Sequence, residues 1–230
     1  MTVLNLILAQ ANAVAAQAAQ ATVTEENLWE LTLKGGWLMI PLAILLVVSI
    51  YIFFERIFAI NSVSHEDRDF MHQIRDCIHN GKIAEAQSLC ERTDKPYSRM
   101  IAKGVSRIGR PMNDVLVAVE NVGNIEVARL EKGFSWLATT AAGAPMIGFL
   151  GTVTGMVKAF MALANAGSSA NVTVLSQGIY EALVTTVAGL IVGITALFAY
   201  NFLTSRVKKI MDKLERNTMD FMDLLNEPAK

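Results

Sequence analysis

Long apolar runs, separated by one polar segment, dominate the pattern along the chain. The uncharged runs are Gly36 to Phe54, Gly133 to Val157 and Ala182 to Ser205. Each exceeds the roughly 18 consecutive apolar residues that predict a membrane-spanning helix. We therefore expect an all-α integral membrane protein with three transmembrane helices, at residues 36–59, 134–163 and 174–205.

The polar segment between the first two spans, residues 60–133, also has the spacing of helices. Its first helix has one apolar face, which is formed by Phe70, Ile74, Cys77 and Ile78. Stop signals and new starts then follow at Asn80-Gly81, Ile83, Lys95-Pro96, Gly109 and Pro111. The pattern predicts a helical domain, which we assign to the cytoplasm.

We expect the second and third spans to extend far into the cytoplasm as continuous helices. From Asn113 the helical pattern runs toward the second span with no breaker stronger than Gly133. The third span continues into a helical tail at residues 206–230. Apolar positions in this tail have the spacing of a helix–helix seam, formed by Val207, Ile210, Leu214, Phe221 and Leu225.

Residues 1–35 are predicted to form an extracytoplasmic arm. Its Ala- and Gln-rich start faintly resembles a signal peptide but lacks a basic n-region, so cleavage stays open as an alternative. The stretch "ENLWELTLKGGW" then predicts an interfacial amphipathic helix, with Trp29 and Trp37 as anchors at the membrane surface. Gly35 and Gly36 provide the bend into the first span.

Composition and charge agree with a membrane protein and set its orientation. The chain is 53% hydrophobic and 18% charged, and its net charge of −1 argues against a nucleic-acid partner. Lys and Arg concentrate in residues 56–133 and 206–230, whereas the link 164–173 has none. The basic segments are therefore expected in the cytoplasm, with the N-terminus and the link in the periplasm.

No pattern of residues indicates catalysis, a cofactor or a metal. The two cysteines, Cys77 and Cys90, are expected to be reduced thiols in a cytoplasmic segment. The three histidines, His65, His72 and His79, match no zinc spacing. No nucleophile, base and orienting group occur together, so an enzyme is not expected.

Small residues crowd the second span. They are Ala141, Ala144, Gly148, Gly151 and Gly155, with Pro145 among them. Gly151 and Gly155 form a small-xxx-small pair, which lets helix backbones approach closely in lipid. A proline inside a span is tolerated where neighbouring groups satisfy the freed carbonyl. We therefore assign Pro145, Gly148, Gly151 and Gly155 to close helix packing.

Only two charged side chains, Lys158 and Glu181, interrupt residues 134–205. An ionised carboxylate in mid-membrane costs roughly 2.5–3.5 kcal/mol, so Glu181 should face a cavity or a partner. Lys158 lies near the outer end of its span, where its stem can extend to the headgroups. Thr152 either lines a polar path or bonds only to its own helix.

Two motifs carry a resemblance to the ExbB–TolQ–MotA family of proton-driven motor subunits. They are "GFLGTVTGMVKAF", from Gly148 to Phe160, and "IYEALVTTVAGL", from Ile179 to Leu190. The run "GWLMIPLAILLVVSIYIFFERI" resembles the first span of ExbB-type members. The similarity covers about residues 28 to 205. Three spans favour the ExbB/TolQ branch over the flagellar branch, and ExbB most of all.

The resemblance implies a pentameric ring in the bacterial inner membrane, around a pore that holds a single-span ExbD- or TolR-like partner. The partner's aspartate would carry the proton, and work would pass to a TonB- or TolA-like protein. Thr152, Glu181 and Thr186 match the family's pore-lining positions. Thr185 is an open alternative, because at 100° per residue it lies about 40° from Glu181, whereas Thr186 lies about 140° away.

The sequence leaves several functions open. The resemblance implies an ExbB-like subunit that energises outer-membrane transport. Alternatives are a TolQ-like subunit for outer-membrane integrity, another motility or secretion motor, and a non-conducting membrane scaffold in which Glu181 joins subunits. A substrate transporter is disfavoured because three spans without an internal repeat do not match that architecture.

Overall fold

A computed structural model describes residues 35–64, 69–166 and 172–227. Residues 1–34 of the predicted arm at 1–35, including Trp29, and the centre of the link at 164–173 lie outside these residues. The described part of the chain is all-helical. In chain order the helices are α1 (Met39–Ser64), α2 (Phe70–His79), α3 (Ile83–Thr93), α4 (Pro96–Val105), α5 (Met112–Leu130), α6 (Phe134–Ala166) and α7 (Val172–Asn226).

Within the described residues three helices, α1, α6 and α7, are long and apolar enough to cross a membrane. In α1 the exposed face is apolar and consists of Ile40, Ile44, Val47, Tyr51, Phe54 and Phe58. Their spacing of three and four residues places them on one side of the helix, and buried positions such as Leu42, Ser49 and Ile60 lie on the other. Such an exposed stripe is suited to lipid rather than to water.

The polar segment folds into the short helices that its pattern predicts. α2 ends at a turn in which Gly81 adopts a φ of +69°, and Pro96 occupies the first turn of α4, where a missing N–H costs nothing. The buried core of this segment includes Phe70, Ile74, Tyr97, Ile101 and Val119. The ring of Phe70 packs edge-to-face on that of Tyr97, with centroids 5.0 Å apart.

A buried carboxylate connects α4 to α5. Glu126 is only 3% exposed and accepts hydrogen bonds from Arg99 Nε at 3.0 Å, Arg99 Nη2 at 2.6 Å and Arg129 Nη1 at 2.7 Å. Arg99 also donates to Asp94 Oδ1 at 2.7 Å. The hydrogen bonds from Arg99 to Glu126 raise the pKa of the guanidinium. This fork-like geometry fixes the two helices relative to each other.

The continuous helix expected from Asn113 into the second span is wrong. α5 ends at Leu130 and α6 begins at Phe134, because Gly133 adopts a φ of +90° that no helix contains. A left-handed conformation at one residue redirects the backbone, and glycine adopts it without a Cβ penalty. The second span therefore does not extend past Phe134 as one helix.

The third span does continue as one helix, as the sequence predicts. α7 is 55 residues long, whereas about 20 residues suffice to cross a bilayer. Val207, Ile210, Leu214 and Phe221 of the predicted seam are buried, and Leu225 is partly buried. Phe221 lies against Gly104 of α4, where a methyl group would overlap its ring. The seam therefore packs on the helices of the polar segment.

The chain divides into two compact units. The first unit holds the described parts of Met1–Met39 and Phe149–Ala188. The second unit holds the described parts of Ile40–Gly148 and Gly189–Lys230, and with them the core of the polar segment.

Candidate functional site

In the first unit α6 and α7 approach each other through glycines. A methyl group on Gly151 would lie 2.5 Å from Thr185 Cγ2, and one on Gly155 would lie 2.8 Å from Ala182 Cβ. Gly178 of α7 faces Ala159 in the same way, at 2.6 Å. Contacts this short leave no room for a side chain, so the glycines set the separation of the two helices.

Glu181 lies on α7 one turn before Thr185. Its side chain is half-buried and contacts Gly36, in the turn that precedes α1. Gly36 has a φ of +70°, and a Cβ there would overlap the Oε1 atom of Glu181. The carboxyl group therefore lies against the backbone of the turn that precedes α1.

Thr185 joins the same turn to α7. It is 2% exposed, and its Oγ1 lies 2.9 Å from the carbonyl oxygen of Gly35 and 3.0 Å from that of Glu181. A hydroxyl has one hydrogen to donate, so these two acceptors share it. Thr186 instead is half-buried, and its Oγ1 lies 3.4 Å from the Ala182 carbonyl. The structure thus brings Thr185, not Thr186, into contact with Gly35 and Gly151.

Thr152 lies apart from this cluster. Its hydroxyl donates to the Phe149 carbonyl at 2.6 Å. It lines an apolar groove of about 630 Å³ with Val153, Met156, Val157, Phe160, Met161 and Ala164. Glu181 is not among the residues that line this groove. Within a single chain, Thr152 and Glu181 therefore line different cavities.

A small cavity of about 10 Å³ lies beside the Glu181 carboxyl group. This volume is at the lower limit for one water molecule. Polar side chains in its wall are Thr154, Lys158, Glu181 and Thr185, and the backbone of Gly35 and Gly36 completes it. A carboxylate, a hydroxyl and space for a water form a minimal set of groups for accepting and passing on a proton.

The sequence alone does not identify all the residues that line the cavity beside Glu181. Thr154 was not singled out, Gly35 and Gly36 were assigned only a bend, and Lys158 was placed at the headgroups. A signal was present, because residues 151, 154, 155 and 158 follow the helical spacing of one face. No comparable signal links Gly36 to Glu181, which lies 145 positions later in the chain.

In the second unit, Pro145 and Gly148 of α6 also contact α7. A methyl group on Gly189 would lie 2.6 Å from the Ala144 carbonyl oxygen and 2.9 Å from Gly148 Cα. A methyl group on Gly193 would lie 2.6 Å from Pro145 Cγ. These neighbours are backbone or ring atoms, which cannot rotate away, so the close packing here leaves no room for a larger side chain.

No cluster of metal-ligating side chains occurs within the residues that the structure describes. His72 and His79 are described, and neither belongs to such a group. His65 lies outside the described residues. That the protein needs no metal or cofactor stays a prediction.

Comparison with known proteins identifies the family. The MotA/TolQ/ExbB proton channel family matches residues 92–216, a range that contains both second- and third-span motifs. The biopolymer transport protein "ExbB-like 1" of Synechocystis sp. is 31% identical over 183 residues, which cover 78% of this chain and 72% of that protein.

Further relatives carry the names of both branches. TolQ of the Tol-Pal system of Haemophilus influenzae is 40% identical over 106 residues, 46% of each chain. The biopolymer transport protein ExbB of Neisseria gonorrhoeae is 38% identical over 121 residues, 51% of this chain and 54% of that protein. The matches to these two thus span about half of their length. With three membrane-type helices and a carboxyl group inside the last of them, this chain belongs to the MotA/TolQ/ExbB proton channel family.

Proposed function

We propose that this chain is the ring-forming subunit of an ExbB-type motor in the inner membrane. It works with an ExbD-like single-span partner and uses the proton motive force to energise a TonB-like protein for outer-membrane transport. The observation that carries this proposal is the Glu181 carboxyl group, which lies in an otherwise uncharged stretch of α7 beside a hydroxyl and a water-sized cavity.

The driving force is sufficient for such a role. A proton that crosses the membrane gains about 2.3 kcal/mol for each 100 mV. In the proposed pathway the partner's aspartate is the main carrier, and Glu181 adjusts the path beside it. Thr152 and Thr186 complete the polar lining of the pore, with Thr185 supporting Glu181 from within the chain.

A TolQ-like function in outer-membrane integrity is the second candidate. It is favoured by the 40% identity to a TolQ protein. Deletion of the gene separates the two: impaired uptake through outer-membrane transporters supports the ExbB role, and detergent sensitivity with normal uptake supports the TolQ role. A chain that assembles but never conducts protons would instead be a scaffold.

The proposed topology places residues 1–35 and the link 164–173 in the periplasm. The segment 60–133 and the tail 206–230 lie in the cytoplasm, because they hold most of the Lys and Arg residues. A fluorescent protein fused to the C-terminus should fluoresce, since it matures in the cytoplasm, and an alkaline phosphatase fused there should be inactive. The reverse pair of results would overturn this orientation.

Assembly as a pentamer is part of the proposal. The apolar surface of α6 includes Met146, Phe149, Val157 and Phe160, each more than half exposed within one chain. In a membrane such side chains are covered by lipid or by neighbouring subunits. Native mass measurement of the complex in mild detergent should give five copies with the partner bound. A monomer in both detergent and membrane would contradict the ring.

The decisive test is proton flux in liposomes that contain the chain co-purified with its partner. Glu181→Ala should abolish flux while the oligomer stays intact, because both titration and hydrogen bonding are lost. Glu181→Gln separates the two roles. If its flux is as low as that of Glu181→Ala, conduction needs a carboxyl group that titrates. If its flux is intermediate, hydrogen bonding by the side chain also contributes. Glu120→Gln, an exposed acid of α5, is the control. Full flux with Glu181→Ala would overturn the proposal.

A further inference from the structure

The turn formed by Gly35 and Gly36 touches the proposed proton site directly. Gly36 lies so close to the Oε1 atom of Glu181 that any Cβ there would overlap it. Its φ of +70° is in the left-handed region, which disfavours every residue with a side chain except Asn and Asp. Two independent features, a backbone angle and a close approach, thus require glycine at this position.

The same turn has a second attachment to α7. The Gly35 carbonyl accepts a hydrogen bond from the buried Thr185 hydroxyl at 2.9 Å. Thr185 is held in turn from the α6 side, because its Cγ2 atom lies over Gly151. The turn, α6 and α7 therefore meet around the carboxyl group of Glu181, and the turn contributes backbone only.

Among the residues that the structure describes, few charged side chains lie near Glu181. From α6, Lys158 lines the same cavity. The turn and the start of α1 contribute Gly35, Gly36, Trp37 and Leu38, none of which titrates.

We propose that the Gly35–Gly36 turn is a positioning element that fixes the Glu181 carboxyl group beside Thr185 and the small cavity. It thereby fixes the side from which this group can exchange a proton. The inference rests on the proposed function, since it concerns the same carboxyl group. It adds that residues before the first span, which carry no proton themselves, control conduction.

The primary test is Gly36→Ala, measured as proton flux through the chain with its co-purified partner in liposomes. The added methyl displaces the carboxyl group, and we expect flux to fall at least about tenfold, because misplacing a reacting group by about 1 Å can cost up to about a hundredfold in rate. Gly81→Ala is the matched control: its φ is +69°, and nothing lies within 4 Å of an added Cβ. It imposes the same backbone strain without touching Glu181, so flux should be unchanged.

A rescue experiment separates positioning from mere strain. Aspartate is one methylene shorter than glutamate, so in a Glu181→Asp background the carboxyl group withdraws from the methyl group that Gly36→Ala adds. We expect Gly36→Ala to lower flux in the glutamate background and to have less than about a twofold effect in the aspartate background. An equal loss in both backgrounds would overturn the inference, because strain alone would then explain it.

A second variant keeps the test valid if Gly36→Ala does not assemble. Thr185→Val removes the hydroxyl that donates to Gly35 but keeps the size of the side chain. It should lower flux and shift the pH dependence of flux while the oligomer stays intact. Unchanged flux and pH profile in Thr185→Val would overturn the inference. If the unmodified complex itself conducts no protons, the proposed function fails; if it conducts and Gly36→Ala conducts equally, only the positioning role fails.

Discussion

At the scale of single residues, Thr185 and Thr186 show how one helical step separates two roles. The step of 100° takes Thr185 into the contact with Gly35 and Gly151, whereas Thr186 stays half-buried. The hydroxyl of Thr185 satisfies a backbone carbonyl inside the protein. Loss of such a partner costs about 1–3 kcal/mol, because the buried acceptor is left unpaired.

The two threonines should therefore respond differently to the same substitution. Thr185→Val should lower the melting temperature of the purified complex, because the Gly35 carbonyl loses its donor. Thr186→Val, like Thr152→Val, should lower proton flux with little change in melting temperature, since both are proposed to line the pore. Thermal unfolding of each variant, measured together with its proton flux in liposomes, tests this prediction. A lower melting temperature for Thr186→Val but not for Thr185→Val would contradict it.

The buried carboxylate of Glu126 allows a second prediction at this scale. Arg99→Ala removes two of the three hydrogen bonds that it accepts, and should destabilise the protein by about 3 kcal/mol, because a buried charge loses its main partner. Arg129→Ala, at a more exposed side chain, should cost no more than about 1 kcal/mol. Denaturation of the detergent-solubilised protein measures both, and equal losses would refute the assignment.

At the scale of elements, α6 and α7 depend on glycine for their separation. A Cβ added at Gly189 would lie 2.6–3.1 Å from backbone atoms of α6, whereas one added at Gly143 of α6 would meet nothing within 4 Å. Both glycines lie in apolar membrane-type helices but differ in what a side chain would meet. They form a natural pair for testing helix packing.

Gly189→Ala should destabilise the protein by about 1–3 kcal/mol, because the methyl forces the helices apart. Gly143→Ala should be neutral or stabilise it by about 0.5–1 kcal/mol, since alanine favours the helix and meets open space. Melting temperatures in one detergent provide the comparison. A tolerated Gly189→Ala would show that α6 and α7 are not in close contact at this point.

At the scale of the whole molecule, the tail of α7 is part of the core of the second unit. Phe221 is fully buried, and Leu214 and Leu224 are 4% exposed. A chain that ends at Arg206 should fail to accumulate, because the apolar surface of the polar segment would lose its cover. A chain that ends at Glu227 should behave as the full chain. Immunoblots of membranes test both, and normal levels of the shorter chain would contradict the packing.

Phe221→Ala offers a milder form of the same test. Truncation of a buried phenylalanine costs about 3–5 kcal/mol. The variant should therefore accumulate less than the full chain but still reach the membrane. Met219→Ala, at an exposed residue of the same turn of helix, is its control and should have little effect.

The spans and the short helices could be predicted from the sequence because their signals are local. Apolar runs mark α1 and α7, and Gly81 and Pro96 mark turns and starts within a few residues of where they act. The break at Gly133 was missed because one glycine in a helical pattern does not reveal its φ. The contact between Gly36 and Glu181 was missed because it joins distant positions, and no local pattern encodes such a pairing.

Glu181 and the glycines of α6 were singled out from the sequence for a physical reason. A carboxyl group in an apolar stretch and a cluster of glycines in a helix both lower stability, so each indicates a functional or packing role. Thr154 and Lys158 required the structure, since a threonine and a lysine in a span each have an ordinary explanation. Their place in the cavity depends on the approach of α7.

The burial of Cys90 has a practical consequence for labelling chemistry. Its side chain is 1% exposed, and burial raises the pKa of the thiol to about 12. Because maleimides react with the thiolate, of which about 10⁻⁵ would be present at pH 7, Cys90 should stay unmodified in the folded protein. Cys77 is partly exposed and needs replacement. A single substitution, Cys77→Ser, thus provides a background in which cysteines introduced along the chain report their own accessibility.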